Sequence, residues 1–125
     1  MSLSREAFLK PVKVPTEVVN LPELGGTVTV RGMTARGRSE FEKQFQTASG
    51  KPSKMRQAEI RERLVVACCI DGDGNPLFTD ADVEQIGKQS ASIVERIVDV
   101  AQRLCGMSSA DIEDIAKNSE PTVND

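Results

Sequence analysis

The feature that most limits how this chain can fold is a change of hydrophobic period near residue 33. Before it, apolar side chains alternate with polar ones. Val12, Val14, Thr16 and Val18 fall on one side of Pro11 to Leu21, and Val28 with Val30 on one side of Gly26 to Gly32. A period of two is that of a half-buried strand, so both runs read as strands. The intervening NLPELGG is too long for a two-residue turn, which predicts an antiparallel hairpin with a longer loop over about residues 11–32. Pro15 has no N–H to give to a ladder, so it predicts an exposed edge or a bulge. A lone hairpin is not stable in water and has to lie against helices.

After residue 33 the apolar spacing becomes three to four, that of amphipathic helices. Thr34 or Ser39 can cap a helix carrying Phe41, Phe45 and Ala48, which Ser49-Gly50 and Pro52 would end. Ser53 to Ile70 reads as the next helix, with Ile60, Leu64, Ala67 and Cys68 on one face. A short helix from Asp80 to about Ile86 follows. A longer one from about Ser90 carries Ile93, Val94, Ile97, Val98, Ala101, Leu104 and Cys105, with Gly106 placed to stop it. The last helix carries Ile112, Ile115 and Ala116. The expected fold is α+β and mainly α: an N-terminal β-hairpin followed by four or five short helices in one domain over residues 1–117, with residues 118–125 as a flexible tail.

The connection between the second and third of these helices, DGDGNPLFTDADV, looks like a calcium loop and fails as one. Asp73 and Asn75 stand at its third and fifth places and Asp82 at its twelfth. The sixth place needs a residue able to turn sharply at positive φ and holds Pro76, and the twelfth wants a bidentate Glu. The same residues make sense as a turn and a helix start. Asp71-Gly72 and Asp73-Gly74 offer positive-φ positions, and Asn75-Pro76 stops the preceding helix. Thr79 and Asp82 have capping-box spacing, with Phe78 and Val83 placed as a hydrophobic staple around them. Met107 and Ile112 repeat that staple around a Ser108 and Asp111 box.

The chain contains no His, Trp or Tyr. Without His, the Ser–His and Cys–His pairs of nucleophilic catalysis and the commonest nitrogen metal ligand are lacking. No pair of acids stands out from the solvated faces of helices, and neither Gly25-Gly26 nor Gly72 with Gly74 has the spacing of a phosphate loop. The three cysteines have no zinc-ligand spacing; Cys68 and Cys69 end the run LVVACCI and Cys105 ends another apolar stripe, as reduced core thiols would. The expectation is a protein that is not an enzyme and holds neither metal nor cofactor. No apolar run is long enough for a membrane span and the start has no secretory h-region, which predicts a cytoplasmic protein without a membrane partner.

Charge is uneven: residues 31–63 carry a balance of +5 and residues 64–125 one of −8. The basic segment lacks stacking aromatics other than Phe41 and Phe45, which are spaced as core residues, so nucleic acid is not an expected partner. Opposite charges on different faces instead favour protein partners, self-association among them.

The order of pieces carries a resemblance. An extended VKVPTEVVNLPELGGTVTVRGMT, a helix SEFEKQF, a helix ending RLVVACCID, the connection DGDGNPLFTDADV and then GKQSASIVERIVDVAQRLCGMS together resemble the tail assembly chaperones of long-tailed bacteriophages and prophages, over about residues 10–110. That resemblance implies a non-enzymatic protein of the host cytoplasm. It would bind the tape-measure protein, an aggregation-prone helical rod, keep it soluble while tail-tube protein polymerises round it, and be absent from the finished virion. It also implies a frameshift-extended form recruiting tail-tube protein; Ala116-Lys117-Asn118 lies where codons could allow the slip. The alternative reading is a structural tail component, at the head–tail junction or the tube, that stays in the particle. Ile60, Leu64, Ile93, Ile97, Val98 and Leu104 are expected in the core, whereas Ile112, Ile115 and Val123, bordering the tail, are the candidates for partner contact.

Overall fold

The computed structural model describes residues 1–117. It has the expected α+β, mainly α architecture: a three-stranded antiparallel sheet whose strands neighbour one another in chain order and seven α-helices among the described residues. The hairpin pairs β1 (Thr16–Leu21) with β2 (Gly26–Arg31), from Thr16 opposite Arg31 to Leu21 opposite Gly26. Its turn is a 3₁₀ segment, Pro22–Leu24, closed by Gly25 at a φ of 76°. Pro22 fixes the first φ, and Gly25 takes the left-handed position at no steric cost.

The hairpin is shorter than its alternating pattern. Pro15 cannot donate to a neighbour, and pairing beyond Thr16 is reduced to Gly32 N–H donating to the Pro15 carbonyl at 3.0 Å. The register also turns Val18 outward, 61 % exposed, and sends Val19 and Leu21 to the core. The side shared by Val12, Val14, Thr16 and Val18 is therefore not the buried one. Ahead of the hairpin lies a helix the periodicity did not suggest, α1 (Arg5–Leu9), opened by Ser4, whose Oγ accepts from Ala7 N–H.

Thr34 caps α2 (Ala35–Lys43), its Oγ1 accepting from Gly37 N–H at 3.0 Å. This helix stops before Ala48. Beyond Lys43 the backbone tightens into turns, Phe45 N–H donating to the Glu42 carbonyl and Gln46 N–H to that of Lys43. Phe45 is still buried, its ring edge-on to Phe41 at 5.2 Å between centroids, a favoured aromatic geometry. Ser53 to Ile70 is not one helix but three pieces: α3 (Lys54–Ala58), α4 (Ile60–Cys68) and β3 (Cys69–Ile70), with a break at Glu59. Glu59 holds the guanidinium of the buried Arg63 at 2.9 Å, and Gln44 Oε1 accepts from the same group at 3.2 Å. β3 then joins β2, Cys69 lying opposite Val30. The connection leads through a 3₁₀ turn (Asp80–Asp82) to α5 (Val83–Gly87), and then come α6 (Ala91–Cys105) and α7 (Ser109–Lys117).

Helix α6 is the central beam. Ile93, Val94, Ile97, Val98 and Ala101 are buried along one face, meeting Ile60, Leu64, Val65 and Cys68 of α4 and Val19, Leu21, Val28 and Val30 of the sheet in one core cluster. Arg103 ties α6 to β1 through a two-pronged contact with Glu17, at 2.9 and 3.1 Å, and Arg96 pairs with Glu23 at the hairpin turn. Arg61 reaches Glu95 and Glu113, and Arg38 reaches Asp111. The basic middle of the sequence is thus partly neutralised from within by the acidic last third. The sheet and α6 come very close at Gly32, where a Cβ would lie 2.5 Å from the Leu104 carbonyl oxygen.

Candidate partner-binding groove

Two sharp turns shape the outer face of this core. In the first, Asp71 folds the connection onto itself: its Oδ1 accepts from Asp73 N–H at 2.8 Å and Asn75 N–H at 3.0 Å, its own N–H donates to the Asn75 carbonyl, and Gly74 takes a φ of 85°. One oxygen of the Asp71 carboxylate is thus used to hold the turn. In the second, Thr79 N–H donates to Asp82 Oδ2 at 2.9 Å and Ala81 N–H to Thr79 Oγ1, a reciprocal box that sets the entry to α5. Val83 is buried and Phe78 half-buried.

Between these turns, the hairpin tip and α6 runs a groove of about 420 Å³. Leu21, Leu24 and Val28 supply one wall, Leu77, Phe78 and Ile86 the other, and Val65, Ile93, Val94 and Ile97 the floor. Each wall has one residue open to water: Leu24 is 57 % and Leu77 44 % exposed. Gly26, Thr27, Asp82, Gln85 and Gln89 complete the lining. Residues 71–87 hold five carboxylates and no cation, so the side formed by the connection and α5 is acidic. Such a surface can bury a few aliphatic or aromatic side chains of another polypeptide and attract basic residues beside them. A second depression, of about 660 Å³ beside the other end of the hairpin, is lined by Lys13, Arg31 and Glu40 with Val14, Met33 and Phe41, and has the opposite charge balance.

The residues singled out in the sequence lie mostly inside. Met107 and Ile112 are buried in the core, Ile112 only 1 % exposed, on either side of the box in which Ser108 N–H donates to Asp111 Oδ2 at 2.8 Å and Asp111 N–H to Ser108 Oγ at 3.1 Å. The Ser108 amide first, then the Ser108 side chain and the charge of Arg38, hold the Asp111 carboxyl below its ordinary range. Ile115 is half-buried and lines a shallow hollow beside Phe45 and Gln57. Val123 lies outside the described residues. Cys68 and Cys69 are buried and Cys105 half-buried; the Cys68 and Cys105 sulfurs are 3.8 Å apart and all three thiols are free. Burial pushes the Cys69 thiol up to about 12, and its contact with Cys105 together with burial pushes Cys68 up as well. The groove residues Leu24, Leu77 and Ile86 were not foreseen. Their one signal was large apolar side chains in or next to connections.

A family model for phage tail assembly chaperones matches residues 5–118. The chain belongs to the phage tail assembly chaperone family. Its fold is also that of a solved structure, the tail assembly chaperone of bacteriophage HK97, with a TM-score of 0.56 at 19 % identity, covering 84 % of this chain and 94 % of that one. No curated protein sequence matches this chain. The family to which the order of sequence elements pointed is therefore the one to which the protein belongs. Among the described residues, no helix is long and apolar enough to cross a membrane.

Proposed function

We propose that this family member is a non-enzymatic chaperone of the host cytoplasm that binds the tape-measure protein while tail-tube protein assembles round it. The observation that carries the reading is the groove: apolar at its floor, acidic on one side and open enough to take side chains from an amphipathic helix. A long helical rod presents such side chains at every turn, and covering them in small stretches keeps it from aggregating. Leu24 and Leu77 are the groove residues best suited to contact, being both apolar and exposed.

The test is co-expression with a phage tape-measure protein. The wild-type chain is expected to raise the soluble fraction of that protein and to co-purify with it, and Leu24→Glu with Leu77→Glu to lose both effects while keeping a native circular dichroism spectrum. Equal solubility with and without the chaperone would refute the reading. Mass spectrometry of purified particles separates it from a retained tail component, because a chaperone is expected to be missing from them.

A further inference from the structure

We propose that the N-terminal arm, residues 1–13, is itself a ligand for this groove on a second copy of the chain. The inference rests on the groove being a docking site. The arm exposes Leu3 (73 %), Phe8 (75 %), Leu9 (56 %) and Val12 (87 %), and no residue of α1 is buried. A helix of five residues is far below the length that is stable alone in water, so α1 gains its stability only where that apolar side is covered. Ser4 already supplies the cap that starts the helix.

Charge selects the surface that covers it. The arm carries Arg5, Lys10 and Lys13 against a single acid, Glu6. The acidic side of the groove, with Asp82 at its edge, attracts such a segment; the other depression, which Arg31 and Glu40 line beside the arm's own Lys13, offers no net negative charge. No arm residue lines the chain's own groove, which leaves that groove open to the arm of another copy. The arm of one molecule thus covers the greasy surface of a neighbour until a partner helix displaces it.

The test uses a fluorescent peptide of residues 1–14 and full-length protein carrying Phe8→Glu and Leu9→Glu, two exposed positions whose change removes the protein's own competing arm. Saturable binding is expected. It should weaken by about tenfold or more when Leu24→Glu and Leu77→Glu are added to the protein, the scale for losing the burial of one large apolar side chain. It should also weaken with rising salt and with Phe8→Glu in the peptide. No binding, or equal binding to the groove variant, would overturn the inference. The tape-measure protein takes no part in this titration, so such a result leaves the chaperone reading to its own co-expression test.

Discussion

Gly32→Ala should be among the most damaging single-methyl additions in this protein. A Cβ at position 32 would stand 2.5 Å from the Leu104 carbonyl oxygen, 3.1 Å from the carbonyl carbon and 3.2 Å from Val14 Cγ1. Ordinary contact begins near 3.4 Å, so α6 and the end of β2 would have to part by about 0.9 Å. The obstacle is backbone, which no rotamer change can move. The end of α6 is also pinned: Gly106 turns the chain at a φ of 70°, Met107 N–H donates to the Gln102 carbonyl at 2.8 Å, and Arg103 grips Glu17. Overpacking of this kind costs about 1–3 kcal/mol, which in a chain of this size lowers the melting temperature by roughly 5–15 °C. Gly26→Ala is the matched control, since nothing lies within 4 Å of its Cβ and its φ is not positive. Thermal melts of the three proteins by circular dichroism make the comparison. A Gly32→Ala protein that melts with the wild type, or a Gly26→Ala protein that falls as far, would refute the close approach of β2 and α6.

Thr79→Ala removes one half of the box at the start of the turn into α5 and is expected to cost about 1 kcal/mol in chemical denaturation, with the slope unchanged. Asp111 has its carboxyl lowered by Ser108 and Arg38, so its contribution is complete above the unfolded value near 4 and is lost as pH falls through the lower folded value. The melting-temperature gap between wild type and Asp111→Asn should therefore be present at neutral pH and close in acid; a gap that persists in acid argues against the Ser108 box. Thiol counting should find Cys105 reactive in the native protein and Cys68 and Cys69 only after unfolding, whereas three equally fast thiols would contradict their burial.

How much of this was legible depended on how local the cause was. The alternation at Val28 and Val30, the long stripe from Ile93 to Ala101 and the stop at Gly106 are decided within a turn or a strand, and the structure has all of them. Thr79 with Asp82 and Ser108 with Asp111 form the reciprocal bonds that their spacing allows. Long-range competition was not legible. Cys69 and Ile70 continue a helical apolar run, and only the open edge of β2 draws them into a third strand. The Ser53–Ile70 segment breaks at Glu59, where φ is −99° and ψ 20°, with no proline or glycine there to mark it. Val12 and Val18 fit a buried face, but the register that fills the core with Val19 and Leu21 leaves them outside. The groove was the least legible, because its walls and floor come from residues 21–28, 77–86 and 93–97, and nothing in the order of the chain says that these meet.

In the proposed function the groove between the hairpin tip, the connection and α6 receives a partner helix. Hydrogen–deuterium exchange on the chaperone, alone and with the tape-measure protein, tests it most directly. Slower exchange is expected over residues 21–28 and 77–89, with little change in the turn at Asn75 or at Gly50. Protection confined to other surfaces, such as α2 or the hollow beside Ile115, would contradict it.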